Sequence, residues 1–258
     1  MYENLYIEEI FDSEIMTKSK NEKVSAELVN EINVSGKLKI KHWENLKVKL
    51  DVEKNDCWNK AFKFFEIRIN TRYLEPIKRI QTTNRNHGEG FAMVNLQCSL
   101  IETIESFYNG WIYQHENEKD KNGKTVKYKG YYKRETEGDR IHLNNQCIFE
   151  SFFIKRFPFI EKGIDGESFY KNVRCTLLYE TQTKNDWLIK AENKNPSCFY
   201  EEKENKKIIY RNDFQLALNN VIQYYKAAIV NGQEYGEISV IELRKNFKAK
   251  FDHICKIS

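Results

Sequence analysis

What this chain lacks narrows it before any motif is considered. No run of about 18 apolar residues occurs, so no membrane-spanning helix is expected. The start Met1-Tyr-Glu-Asn lacks the basic-then-apolar pattern of a secretory leader, and the cytoplasm is the expected compartment. Its six cysteines, Cys57, Cys98, Cys147, Cys175, Cys198 and Cys255, never form Cys-x-x-Cys, and its five histidines never pair at helical ligand spacing. Reduced core cysteines are therefore expected, with no metal and no cofactor. Charge of one sign is also missing: 42 Lys and Arg face 38 Asp and Glu, a net of +4. A nucleic-acid partner is permitted by that balance, not demanded. No fixed-period repeat is present.

Apolar and aromatic side chains are plentiful, at 40% and 14% of the 258 residues, enough for a sizeable buried core. Residues 1–55 are rich in Lys, Glu and Asn. Within them Leu38-Lys-Ile40 and Leu46 to Val52 alternate apolar with polar, the period of half-buried strands, so a partly β N-terminal region is expected. Residues 56–258 read as a helical domain. Trp58, Phe62, Phe65, Ile69 and Tyr73 form one helical face, which Pro76 should end or kink. A second helix covers about 89–108, with Asn109-Gly110 as its cap. The polar stretch 114–145 reads as an insertion turning at Lys121-Asn-Gly-Lys124, with a return arm over Thr125 to Tyr132. A helix around Cys147 to Phe153 should stop before Pro158. Short strands are expected at Trp187–Ile189, Ser197–Tyr200 and Lys207–Arg211. Asn212 or Asp213 should cap a long helix ending at Asn231-Gly232, and Ser239 a last one. The sum is a mainly α protein with small β attachments.

After Gly163 and Gly166 comes the segment Phe169-Tyr-Lys-Asn-Val-Arg174-Cys-Thr-Leu-Leu-Tyr179. Phe169, Val173 and Leu177 make one helical stripe, and Tyr170, Arg174 and Leu178 the next. Five residues turn an α-helix by about 500°, so Arg174 and Tyr179 differ by roughly 140° and share a groove only if the helix end is distorted or partnered. The spacing resembles the Arg-x4-His signature of HEPN domains, helical modules of bacterial toxin, abortive-infection and RNA-guided defence proteins, with Tyr179 where histidine should stand. Arg68 to Ile77, Leu100 to Tyr108 and Glu180 to Trp187 add local similarity, and the resemblance covers about 58–230.

Metal-independent cleavage of an RNA phosphodiester needs a base for the 2′-hydroxyl, an acid for the leaving oxygen and a cation for the charge on phosphorus. Arginine suits the cation role because its planar fork stays charged. Histidine, with a pKa of about 6.5, suits the other two, whereas a phenol near 10 is deprotonated only about once in a thousand at neutral pH. The resemblance therefore implies a HEPN-like antiparallel helical bundle, an RNA partner and an endoribonuclease impaired by Tyr179. It also implies a homodimer with the two motif helices meeting at its axis, and a possible antitoxin or defence partner protein. The alternative is a non-catalytic HEPN-like module that dimerises or binds a protein. Either way no membrane partner is expected.

By resemblance Arg174 polarises the scissile phosphate, Tyr179 occupies the base position, and Asn172 and Lys171 bound the groove. Glu102 and Glu105 support it, or else form a solvated face. Lys155 and Arg156 make a basic cluster near the motif helix with Lys162, and His142 is a substitute base. Two further basic segments are open to either reading, a phosphate contact or a charged loop. They are Lys78, Arg79, Arg85 and His87 before Gly88 and Gly90, and Lys127, Lys129, Lys133 and Arg134 among Tyr128, Tyr131 and Tyr132.

Overall fold

The computed structural model describes residues 33–83, 88–119, 121–134, 143–195 and 198–255. A short antiparallel hairpin, β1 (Asn33–Ser35) and β2 (Leu38–Lys39), leads directly into α1 (Ile40–Lys47). The strand expected over 46–52 does not form. Ile40 and Trp43 stand three apart and are both buried, so a helical face won, while Val48 is 78% exposed and its alternation had no sheet to pack in. Trp43 packs against Phe64 and Phe251, and its indole N–H donates to Asp252 (2.8 Å). The described part of the N-terminal region thus shares its core with the helices that follow.

The Trp58 face winds into α2 (Trp58–Ile69), where Trp58, Phe62, Phe65 and Ile69 are all buried. Pro76 does not end the helix. A π turn over Asn70–Leu74, closed by Glu75 N–H on the Asn70 carbonyl, absorbs the residue that cannot donate, and the helix resumes as α3 (Glu75–Thr83). Helix α4 (Glu89–Asn109) runs through the middle of the molecule and stops at Gly110, whose φ of 66° is the left-handed conformation a glycine takes at least cost. The polar insertion is a long hairpin, β3 (Trp111–Lys119) and β4 (Thr125–Arg134), paired from Trp111–Arg134 to Lys119–Thr125.

Helix α5 (Asn145–Lys155) is capped by Asn144, whose side chain accepts from Cys147 N–H. The motif segment follows as α6 (Gly166–Phe169), a second π turn (Tyr170–Cys175) and α7 (Thr176–Glu180). It crosses α5 so closely that a Cβ on Gly166 would lie 2.5 Å from the Glu150 Cα. Strands β5 (Trp187–Lys190), β6 (Tyr200–Lys203) and β7 (Lys206–Tyr210) form a sheet of order β5-β7-β6, with β5 and β7 parallel. Helices α8 (Arg211–Asn231) and α9 (Val240–Cys255) complete the chain. Ser239 caps α9 as expected, but Asp213 does not cap α8. It is the third residue of the first turn and accepts the backbone N–H of Asn193 (3.0 Å), which ties the loop after β5 to the helix.

The architecture is mainly α with small β insertions. Its core is aromatic: Phe62, Phe65, Phe107, Tyr225 and Phe247 pack ring to ring where α2, α4, α8 and α9 meet. Each such ring contributes about 1.5–3 kcal/mol by leaving water. Arg244, 1% exposed, lies among them and donates to the carbonyls of Ile229, Val52 and Lys54 and to Asn55. That guanidinium joins the end of α8 to the loop ahead of α2.

Candidate functional site

Arg174 stands in the π turn of the motif helix, whose entry Asp165 caps by accepting Ser168 N–H (3.1 Å). Phe169, Val173 and Leu177 bury against the core and so fix the helix rotation. With that face committed, Arg174 points toward α4 and its Nε donates to Glu102 Oε1 at 3.0 Å. The two side chains are 17% and 19% exposed, a shielded pair at the mouth of a groove. Burial raises the Glu102 pKa despite the cation beside it. At Arg174 burial is more than offset by Glu102, and the pKa rises. The rise at Arg174 keeps the guanidinium charged, whereas burial at Glu102 works against its carboxylate. The Tyr170 ring lies 5.9 Å from the guanidinium carbon.

The groove beside Arg174 has a volume of about 400 Å³ and is bordered by Asn95, Cys98, Ser99 and Leu178. Burial pushes the Cys98 thiol far up, so it is no nucleophile. Tyr179 does not border this groove. It is 74% exposed on α7, and five residues of helix beyond Arg174 turn it to another face of the motif segment.

The remaining expected residues divide. Asn172 holds the turn after the motif, with its side chain bonded to Ser168 and Asn185 and its carbonyl accepting Lys184 N–H. Lys171 pairs with Glu167 on the exposed face of its own helix. Lys155 pairs with Glu237 (3.2 Å). Arg156 is turned inward, 1% exposed, and forks onto Glu105, with Nε–Oε2 2.7 Å and Nη2–Oε1 2.9 Å. Ser151 and Asn109 also donate to Glu105, and Arg156 covers the Tyr108 ring at 3.5 Å. Glu105 is thus neither a solvated face nor a site residue but half of a buried ion pair. Arg156 has no surface to offer RNA. His142, Arg85 and His87 lie outside the described residues, as do the side chains of Lys127, Lys129, Lys133 and Arg134. Arg79 pairs with Glu75 (3.5 Å), and Lys162 lies over Phe199.

A second groove, of about 420 Å³, opens further along α4, and Ser99 borders both. Arg68, Arg72 and Lys250 border it together with Glu102 and tyrosines 73, 113 and 132. None of its cations was singled out from sequence. The available signal was Lys250, a charge sitting between Phe247 and Phe251 on a face otherwise apolar. Among the described residues no group of His, Cys, Asp or Glu is placed to hold a metal ion, and no helix is long and apolar enough to cross a membrane. Comparison with protein-family models, curated proteins and solved structures finds no match to this chain.

Proposed function

We propose that this chain is a HEPN-like RNA-binding protein of bacterial defence or toxin type, a metal-independent endoribonuclease in origin whose turnover Tyr179 impairs. The observation that carries the reading is the setting of Arg174. Glu102 fixes the guanidinium through Nε and leaves the Nη edge, which makes no hydrogen bond among the described residues, beside a groove of about 400 Å³. An arginine oriented in this way is ready to grip two phosphate oxygens. Leu178 and Tyr179, 51% and 74% exposed on the last turn of the motif helix, suit contact with a second copy. In a homodimer the two motif helices would form one composite groove, and Tyr179 would reach it from the partner's side, where a phenol donates hydrogen bonds or stacks on a base but is a poor base itself.

The same exposed pair favours the alternative, a non-catalytic module that dimerises or binds a protein through this face. Two variants separate the readings. Arg174→Ala should weaken RNA binding at least about tenfold, the loss of a charge-assisted phosphate contact. Tyr179→His should give metal-independent cutting that leaves a 2′,3′-cyclic phosphate. RNA binding untouched by the first and no cutting by the second would leave the interaction module.

A further inference from the structure

The groove between α2, α4, α9 and the β3–β4 hairpin is built as no structural salt bridge would be. Three cations border it, none paired with a carboxylate among the described residues. Arg68 reaches in from α2 and spends Nη1 on the Val34 carbonyl (2.8 Å). Arg72, one turn on and exposed, stands in the π turn. Lys250 comes across from α9, its Nζ bonded to the Trp111 carbonyl and 5.9 Å from the Phe107 ring. Among the described residues none of the three has an ion pair, and the one acid on the wall, Glu102, is engaged by Arg174.

Their mutual repulsion is felt. Burial lowers the Arg68 pKa to about 10, with Arg72 adding to the effect, and burial followed by Arg68 lowers Lys250 to about 8. Uncompensated like charges in a recess are costly in the empty protein and are relieved by an anion.

The walls specify more than charge. Tyr73 shares a hydrogen bond with Thr103 (3.0 Å), which gives the floor two hydroxyls. Tyr113, 41% exposed, packs edge-on against Tyr132 with ring centroids 5.0 Å apart and presents an aromatic surface at the rim. A volume of about 420 Å³ exceeds what a phosphate fills and lies in the range of small-molecule sites.

We infer that this groove is a binding site for a terminal phosphate monoester carried on an aromatic nucleoside, with Arg68, Arg72 and Lys250 on the phosphate and Tyr113 against the base. Recessed cations select a doubly charged end group over the singly charged diesters of a continuous strand. The same chemistry is offered by a free mononucleotide and by the 5′-phosphorylated end of an RNA. The inference stands independently of the Arg174 reading, since no residue gripping the phosphate touches that groove.

Calorimetric titration of the full chain with adenosine 5′-monophosphate, inorganic phosphate and adenosine tests it. The two phosphates should bind, with the nucleotide tighter, and adenosine should not. Arg72→Gln, at an exposed position that leaves the fold alone, should weaken the nucleotide about tenfold or more, and Lys250→Gln likewise. Matched oligoribonucleotides with 5′-phosphate and 5′-hydroxyl ends identify the source. A preference for the phosphorylated end that Arg72→Gln abolishes supports the inference with RNA as donor, and equal binding alongside nucleotide binding supports it with the free nucleotide. Failure of every phosphorylated probe to bind at millimolar concentration, or binding that survives both variants, overturns it. So does RNA binding indifferent to its end when the mononucleotide does not bind.

Discussion

Replacing Arg156 with methionine separates the role the structure gives this residue from the RNA contact its sequence neighbourhood suggested. Glu105 is fully buried and would be left with only Ser151 and Asn109 as donors. Leaving one partner of a buried pair uncompensated costs about 3–5 kcal/mol, a large part of the roughly 5–15 kcal/mol that holds a domain folded. At about 2–4 °C per kcal/mol for a chain of this size, Arg156→Met should melt roughly 6–20 °C below the parent. Glu105→Leu combined with Arg156→Met replaces both charges with apolar volume and should recover most of the loss, so a double-mutant cycle should return a coupling energy above about 2 kcal/mol. Urea unfolding followed by circular dichroism at pH 7 measures all four corners. A loss below about 1 kcal/mol for Arg156→Met, or additive losses in the cycle, would refute the reasoning. Weakened RNA binding with unchanged stability would restore the surface reading.

Two further outcomes follow from the packing and the titration. Gly166→Ala should cost about 1–3 kcal/mol, because its Cβ would meet the Glu150 backbone at 2.5 Å and force the motif helix off α5; a melting temperature equal to the parent's would show that the crossing can relax. Lys250 is held near pKa 8 in the folded chain against 10.5 in the unfolded one, so between those values the unfolded state binds the extra proton and stability rises with pH. The rise should reach at most about 3 kcal/mol from pH 7 to 10.5 relative to Lys250→Met, read from urea midpoints; parallel pH profiles for the two proteins would show that the ammonium is not desolvated.

Much of the fold was legible because period and punctuation are local properties. The stripe from Trp58 to Ile69, the Gly110 and Gly232 caps and the Ser239 start all formed where expected. The misses occurred where the outcome depended on what a segment packs against. Leu46 to Val52 alternates like a strand, but the buried Ile40 and Trp43 set a helix that runs to Lys47, and the chain from Val48 onward turns without a partner strand. Pro76 looked like a stop, and a π turn carried the helix through it. Arg174 was marked by spacing alone, while its pairing with Glu102 and the exposure of Tyr179 depended on what the motif helix packs against.

The sequence by itself determined that this is a mainly helical protein rich in buried aromatics, and which segment carries an arginine at an Arg-x4 spacing, because side-chain pattern and chain punctuation act over a few residues. Only the tertiary structure decided which charges face which. It joined Glu102 to Arg174 and Glu105 to Arg156, gathered Arg68, Arg72 and Lys250 at one groove with no ion pair among the described residues, and left Tyr179 exposed outside the groove beside Arg174. The physical reason is that a charge's role is set by its partner and its distance from water, and both come from residues tens to hundreds of positions away.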